Sequence, residues 1–277
     1  MAHGNHVIAA LSYLVPDRHR PVSYASEPPA GEPWESGRFE ARAMLVQDAR
    51  ERPTRSSVHQ EGFELWDAPS QVKDFHDPQE VQRTYYHEAA ELALAASGGR
   101  RAWVFDHLVR RREPRDRPLD FGRGMHAAAG ANGRLHNDYT LASGARRLEL
   151  AVTDERERRL LRRFCILNIW RSIRGPVHDT PLAVCDSRSV QEDDFVTAEV
   201  RYSNRVGEVY FLKYSPEHRW NYYSAMDRHE ALVFKQFDSM TSGVARFTPH
   251  GAFDHPRAPA DAPPRESIEL RCLVGFE

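Results

Sequence analysis

The sequence predicts a mainly β protein with flanking helices, built as a sandwich or jelly-roll barrel. Three observations support this fold class. Short apolar and aromatic runs recur along the chain with turn residues between them. A helical pattern at about 78–97 precedes most of these runs. No Gly-rich loop lies within a strand–helix–strand pattern, so a nucleotide-binding α/β fold of the methyltransferase type is not expected.

The N-terminal part mixes strand candidates with one helix. Residues 39–46 and 58–66 have the apolar and aromatic content of strands. Asp77 can cap a helix whose first residue is Pro78, and apolar residues then recur at helical spacing. Glycines after residue 97 end it. We therefore expect a helix over about 78–97.

Beyond residue 100, strand predictions dominate. A polar, Gly-rich loop is expected over 113–134, a second helix over 154–164 and a hairpin connection at 204–207. The predicted strands are 102–109, 165–171, 181–185, 196–203, 208–214, 231–237, 244–249 and 267–276. We interpret 1–277 as one domain, with an N-terminal elaboration (1–100) and a jelly-roll core (101–277).

Composition narrows the functional classes. The 277 residues are 40% hydrophobic with a net charge of −2, so no global charge attracts nucleic acid or an anionic membrane. No run approaches the roughly 20 apolar residues of a membrane span. Cys165, Cys185 and Cys272 have no paired spacing, which is typical of a reducing compartment. We expect a cytoplasmic protein.

A His-x-Asp pair follows the Gly-rich loop. His136 and Asp138 stand two residues apart where a strand would open, and residues two apart in a strand point to the same side. Both could therefore bind one metal ion inside a barrel. The pattern alone is weak, since a polar turn produces it equally well.

A third candidate ligand, His250, lies 114 residues after His136, at the end of the predicted strand 244–249. Such a separation suits a jelly roll, in which early and late strands of the barrel come together. Two histidines and one carboxylate on one face leave coordination positions open. That set suits iron(II) binding a bidentate co-substrate and dioxygen.

Arg265 begins the final strand, 15 residues after His250, with Ser267 two residues further on. A guanidinium fork and a nearby hydroxyl would bind the distal carboxylate of 2-oxoglutarate. A salt bridge from Arg265 to Glu266 or Glu269 is the structural alternative. Arg271 shares the strand-face parity of Arg265 and competes for the same role.

Several motifs resemble one family of oxygenases. The family groups a cephamycin 7α-methoxylation component with fungal hydroxylase/desaturases and a meroterpenoid endoperoxidase. The resemblance covers roughly residues 100–272. Its motifs are HNDYT (136–140), NIWRSIRGPV (168–177), PLAVCD (181–186), WNYYSAM (220–226), KQFDS (235–239) and the block 247–271.

The resemblance implies a double-stranded β-helix that uses iron(II), 2-oxoglutarate and dioxygen. It implies His136, Asp138 and His250 as iron ligands and Arg265 as co-substrate anchor, with no catalytic residue beyond the metal centre. The expected substrates are small secondary metabolites or amino-acid-derived compounds, which would be hydroxylated, desaturated or cyclised. The cephamycin relative works with a partner protein, so the resemblance leaves room for one here.

Further candidates have a structural and a functional interpretation. Asn168 could bond the co-substrate or a ligand, and Trp170, on the same strand face, could line the pocket, whereas Arg171 takes the other face. For Lys235, a surface position is favoured over contact with a carboxylate. The candidates for the substrate pocket are Tyr139, Trp170, Arg171, Trp220, Tyr222 and Tyr223. The alternative for Trp170, Trp220, Tyr222 and Tyr223 is a place in the aromatic core.

Two alternative functions remain compatible with the residues alone. A redox-neutral isomerase would keep the fold and the metal. A non-catalytic jelly-roll module would bind a small ligand or a protein but neither iron(II) nor 2-oxoglutarate. Iron(II) and 2-oxoglutarate binding, followed by succinate formation, separates these alternatives from an oxygenase.

Overall fold

A computed structural model describes residues 6–112, 117–122 and 129–277. These residues fold into two curled β-sheets that pack face to face with helices outside, which confirms the predicted jelly roll. The predicted loop 113–134 lies partly outside the described residues, at 113–116 and 123–128.

The nine-stranded sheet has the order β1-β3-β12-β9-β14-β7-β11-β10-β2. Its strands are β1 (His6–Val15), β2 (Val22–Tyr24), β3 (Arg38–Asp48), β7 (His136–Asn137), β9 (Leu182–Cys185), β10 (Phe195–Arg201), β11 (Val206–Leu212), β12 (Trp220–Tyr222) and β14 (His250–Ala252). The N-terminal strands β1 and β3 therefore extend the sheet that contains His136 and His250. The predicted hairpin joins β10 to β11.

The six-stranded sheet has the order β4-β13-β8-β15-β5-β6. Its strands are β4 (Phe63–Asp67), β5 (Arg101–Arg111), β6 (Ala129–Gly130), β8 (Arg163–Ser172), β13 (Glu230–Asp238) and β15 (Glu266–Phe276). β15 pairs along its length with both β8 and β5 in antiparallel register, with one irregularity against β5 at Arg271. The last strand of the chain is thus central to this sheet.

The predicted helix at 78–97 is present. It consists of α1 (Pro78–Glu80), a π-helical turn (Val81–Tyr85) and α2 (Tyr86–Ser97), with Asp77 as its N-cap. Its apolar face packs on alternate residues of β8, such as Leu167 and Ile169. Each such buried side chain contributes about 1.5–3 kcal/mol. The residues between them on β8 point to the other sheet.

Two local expectations were wrong. After His136–Asn137 the chain does not continue as a strand, because Thr140 and Ser143 form a capping box that begins α3 (Leu141–Ala151). Residues 244–249 do not form a strand either, because Pro249 has no N–H to donate and Thr248 donates its backbone N–H to the Asn137 side chain.

The second predicted helix is shorter than expected. It is α4 (Glu155–Leu160), capped by Asp154. Within the described residues, no helix is both long and apolar enough to cross a lipid bilayer.

Candidate metal centre

The two sheets meet at a cluster of two histidines and one carboxylate. His136 on β7 and His250 on β14 are directly paired in register, and their ring centroids are 4.3 Å apart. Asp138 follows β7. Each of the three side chains places one potential ligand atom within 4.8 Å of the other two. The predicted ligands, separated by 114 residues in the sequence, therefore share one site.

The histidines are oriented by the backbone. His136 Nδ1 donates to the Arg134 carbonyl at 2.8 Å, and His250 Nδ1 lies 3.3 Å from the Thr248 carbonyl. Such bonds fix the tautomer and leave Nε2 available as a metal ligand. Burial, reinforced by His136, lowers the pKa of His250 to about 3. His250 is therefore neutral near pH 7 and has the lone pair that a metal requires.

Asp138 is held by the opposite sheet. Its Oδ2 accepts hydrogen bonds from Asn168 Nδ2 and Arg271 Nε, both at 2.8 Å. Its Oδ1 lies 3.3 Å from His136 Nε2. Although burial acts to raise the pKa of Asp138, Arg271 and His136 hold it well below its usual range. Oδ1 is thus an ionised oxygen that faces the two histidines.

A small cavity adjoins the histidines. Its lining includes His136, His250, Trp170 and two arginines, Arg110 and Arg265. The Arg265 guanidinium is buried, donates through Nη1 to the Thr180 carbonyl at 3.0 Å and lies 5.6 Å from the Trp170 ring. Burial lowers the pKa of Arg265 to about 10, so it remains charged at neutral pH.

Within the described part of the chain, the buried polar atoms without a hydrogen-bond partner include Arg265 Nε in the cavity lining, and Ser267 Oγ and Asn168 Oδ1 on the adjoining strands β15 and β8. Buried polar groups are normally satisfied, so such atoms call for an explanation. Two of them belong to an Arg-x-Ser pair, whose donors are suited to a carboxylate.

Comparison with known proteins agrees with this chemistry. A family model described as "YDMC: Oxidoreductase/YMDC permease-like domain" matches residues 11–275. The hydroxylase/desaturase CTB9 of Cercospora beticola is 32% identical over 256 residues, which are 87% of this chain and 78% of the relative. The Fe(II)/2-oxoglutarate-dependent dioxygenase nvfI of Aspergillus novofumigatus is 30% identical over 258 residues, 91% of this chain and 89% of the relative.

The chain belongs to the iron(II)/2-oxoglutarate-dependent dioxygenase family. A solved structure of the iron and alpha-ketoglutarate-dependent endoperoxidase NvfI superimposes with a TM-score of 0.83 over 98% of both chains, at 24% sequence identity. That likeness establishes the double-stranded β-helix fold of this dioxygenase. The His136–Asp138–His250 cluster fits iron(II), because two imidazoles and one carboxylate leave positions open.

The buried polar atoms without a hydrogen-bond partner among the described residues match the groups of 2-oxoglutarate. The molecule has a 2-oxo acid end that chelates a metal and a distal carboxylate that accepts hydrogen bonds. Arg265 Nε and Ser267 Oγ are unsatisfied donors near the histidines. The residues of this dioxygenase therefore fit the co-substrate.

Arg271, the competitor of Arg265, is already engaged. Besides Asp138 it contacts Glu269 at 2.9 Å and Asp106 at 3.2 Å. Its guanidinium lies between three carboxylates, and it therefore orients a candidate metal ligand. Arg265 has no carboxylate within ion-pair distance among the described residues, and neither Glu266 nor Glu269 forms the salt bridge that was its structural alternative.

The predicted pocket residues are distributed over several places. Trp170 lines the cavity, whereas Arg171 points from the other face of β8 to the Tyr85 hydroxyl at 2.9 Å. Tyr139 packs with Ile166 and Phe237. Trp170 and Arg171 are neighbours on β8 and point to opposite faces, so one lines the cavity and the other lies in the core.

The three aromatic residues at 220–223 do not line this cavity. Trp220 donates to the Tyr13 hydroxyl at 2.7 Å, and the Tyr222 hydroxyl is 3.3 Å from His255 Nε2. The Tyr223 hydroxyl is 2.8 Å from Ser56 Oγ. Their polar atoms are satisfied within the surrounding β-sheet core.

Sequence reasoning missed a buried pair that joins the two ligand-bearing segments. Gln236 accepts from the Asp138 backbone N–H at 2.8 Å and donates to the Thr248 carbonyl at 3.1 Å. Asn137 donates to the Gln236 carbonyl and accepts from the Thr248 N–H. Both lie within recognised motifs, but their polar type alone did not distinguish them from turn residues.

Lys235 was also misplaced by the sequence. Its ammonium is fully buried and bonds Asp238 Oδ2 at 2.7 Å, so the favoured surface position is wrong. It contacts a carboxylate, as the alternative supposed, but that carboxylate belongs to the protein.

Proposed function

We propose that His136, Asp138 and His250 hold iron(II), and that Arg265 and Ser267 bind the distal carboxylate of 2-oxoglutarate. In this proposal, the chain hydroxylates, desaturates or cyclises a small secondary metabolite or amino-acid-derived substrate. One observation carries the proposal. A buried arginine and a serine with unsatisfied donors lie beside two buried histidines and an ionised aspartate.

Iron(II) and 2-oxoglutarate, when bound, supply dioxygen activation and the oxidising power to remove hydrogen from an unactivated carbon. The residues of the chain supply position and environment. Asn168 and Arg271 orient Asp138, and backbone carbonyls orient the histidines. Trp170 lies beside Arg265, with its ring 5.6 Å from the guanidinium, and both side chains are buried. No further acid or base is required of the protein.

The substrate class rests on relatives. Among them are the hydroxylase/desaturase efuI of Hormonema carpetanum, 31% identical, and the aspirochlorine biosynthesis protein N of Aspergillus oryzae, 37% identical over 48% of this chain. Those names support a small organic substrate here. Of the predicted pocket residues, we retain Trp170 alone as a lining residue.

Domain organisation, binding partners and cellular location can be proposed on three further observations. We propose that residues 1–277 act as one domain, since β1 and β3 hydrogen-bond into the sheet of the metal centre. We propose that the chain binds neither nucleic acid nor an anionic membrane, because its net charge is only −2. Three free, buried cysteines support a cytoplasmic location.

The test is an anaerobic titration of metal-free protein with iron(II) and then 2-oxoglutarate, followed by visible spectroscopy. The wild type should develop the weak charge-transfer band of chelated 2-oxoglutarate. His136→Ala should not develop it, because a ligand is lost. Arg265→Gln should need about ten- to hundredfold more 2-oxoglutarate, since a charge-assisted hydrogen bond is removed.

Arg174→Gln serves as the control, because Arg174 is an exposed arginine paired with Glu266 at 3.2 Å. It should behave as the wild type. Succinate formation in air then reports turnover of the co-substrate without a known substrate. Absence of both the band and succinate in the wild type would overturn the proposed function.

A further inference from the structure

The co-substrate cavity contains a second guanidinium that no predicted role uses. Arg110 on β5 is the direct cross-strand partner of Ser267 on β15. Directly paired residues of antiparallel strands point to the same face of the sheet. Arg110 therefore lies beside Ser267, and it lines the same cavity as Arg265 and the two histidines.

Arg110 makes no ion pair within residues 6–112, 117–122 and 129–277. The one hydrogen bond of its side chain to protein there runs from Nη1 to the Gly130 carbonyl, at 2.8 Å. Burial lowers the pKa of Arg110, a shift that Glu269 opposes from a distance. Glu269 itself is bonded to Arg271. The cation is thus partly desolvated and without a carboxylate partner of its own.

Arg110 and Arg265 also act on each other. Burial is the main cause that lowers the pKa of Arg265, and the charge of Arg110 lowers it further. The carboxylate of Asp179 acts in the opposite direction and raises it. Two like charges that line one small cavity repel each other in a medium of reduced dielectric. An anion between them would remove this repulsion.

The backbone around Arg110 leaves space for its guanidinium. Gly122 has a φ of +80°, and a Cβ atom at this position would clash with Arg110 Nη1. The neighbouring Gly130 supplies the acceptor carbonyl. Gly122 thus leaves room for Nη1, and the bond to Gly130 uses this nitrogen alone.

Arg112, which directly follows β5, differs from Arg110 in having a carboxylate partner. Arg112 is buried, whereas Arg110 is partly buried, and Arg112 forms an ion pair with Asp254 at 2.9 Å. Its charge is compensated within the protein, as expected for a structural arginine. Arg110 differs because it faces the cavity without such compensation.

We propose that Arg110 is a second anchor for the distal carboxylate of 2-oxoglutarate, which would lie between the Arg110 and Arg265 guanidiniums with Ser267 beside it. The inference rests on the proposed function and assigns one more positioning residue to it. One carboxylate has two oxygens and about four lone-pair directions, enough to accept donors from both forks.

The experiment compares two ligands on iron(II)-loaded protein without oxygen. 2-Oxoglutarate and 2-oxopentanoate share the chelating end and the chain length, but 2-oxopentanoate has a methyl group in place of the distal carboxylate. Dissociation constants are measured by calorimetry for the wild type, Arg110→Gln, Arg110→Lys and Arg265→Gln. Arg111→Gln is the matched control, since Arg111 is the exposed neighbour of Arg110 on the same strand.

Arg110→Gln should raise the Kd for 2-oxoglutarate about tenfold or more and leave the Kd for 2-oxopentanoate unchanged. Arg110→Lys keeps the charge without the fork and should fall between the wild type and Arg110→Gln. Arg111→Gln should bind both ligands as the wild type does. The iron(II) Kd of each variant, measured beforehand, should remain constant.

An unchanged Kd for 2-oxoglutarate in Arg110→Gln overturns the inference, and so does an equal weakening of both ligands, which indicates a structural role. Different results would contradict the proposed function and the role of Arg110 as second anchor. If the wild type binds no 2-oxoglutarate, the proposed function itself is lost. If Arg265→Gln weakens 2-oxoglutarate binding and Arg110→Gln does not, only the second anchor is lost.

Discussion

Two ionic clusters involve residues of the six-stranded sheet, and they differ in whether every charge has a partner within the protein. In the first, Asp238 Oδ1 and Oδ2 accept from Arg163, at 2.9 and 2.7 Å, and Oδ2 also accepts from Lys235. The Met240 N–H adds a fourth bond to Oδ1. We call this group of Arg163, Lys235 and Asp238 the closed cluster.

The second group, which we call the open cluster, comprises Asp138, Arg271, Arg265 and Arg110. Here only Asp138 and Arg271 are paired with each other. Asp138 Oδ1 faces the histidines, and Arg265 Nε has no partner among the described residues. Burial of charge is common to both clusters, so burial alone does not indicate a binding site. A binding site is indicated where buried polar atoms lack a partner and lie beside side chains that can bind a metal ion.

Removal of the charge of Asp138 should have the largest effect on binding. In Asp138→Asn the oxygen that faces the histidines is neutral, and we expect iron(II) binding to be lost at concentrations that saturate the wild type. The metal-free protein should lose less stability than Asp238→Asn, because Arg271 keeps Glu269 and Asp106 as partners. Anaerobic equilibrium dialysis and urea unfolding measure the two quantities. Wild-type iron affinity in this variant would contradict the comparison.

Removal of the charge of Asp238 should do the reverse. Asp238→Asn leaves Lys235 and Arg163 without their carboxylate, and loss of one partner of a buried ion pair costs about 3–5 kcal/mol of unfolding free energy. Iron(II) affinity should not change. The matched control is Glu155→Gln, which breaks the exposed pair with Arg159 and should cost less than about 1 kcal/mol. Equal losses in the two variants would show that the closed cluster is not structural.

Acidification should give the smallest effect. Burial acts to raise the pKa of Asp238, but the bonds from Arg163 and the charge of Lys235 depress it below its ordinary value. A depressed carboxyl pKa contributes stability above the unfolded-state pKa, about 3.9, and this contribution is lost as the pH falls through the folded-state pKa. In metal-free protein, the stability difference between wild type and Asp238→Asn should therefore shrink below about pH 4.

Urea unfolding at a series of pH values measures that difference. Asp138 is present in both proteins, so its own titration cancels from the comparison. A difference that stays constant down to low pH would mean that Asp238 is not held ionised by the cluster.

Most of the fold could be predicted from local patterns, because alternating apolar runs, turn residues and the Asp77–Pro78 helix start act over a few residues. Two elements were nevertheless predicted wrongly. The α3 helix was missed because a strand was expected to open at His136 and the capping pair of Thr140 and Ser143 was not recognised. The predicted strand 244–249 was interrupted by hydrogen bonds to distant side chains, which no short window contains.

The sequence by itself determined which residues could bind a metal and a carboxylate, since His-x-Asp, a late His and Arg-x-Ser are defined by residue type and order. Only the tertiary structure showed that, among the described residues, the Arg271 guanidinium contacts carboxylates whereas the Arg265 guanidinium does not, and only it placed Arg110 in the cavity lining and Gln236 against Asp138. The physical reason is that these contacts join segments about 100 or more residues apart in sequence. Compensation of a buried charge is a property of packed neighbours, not of a motif.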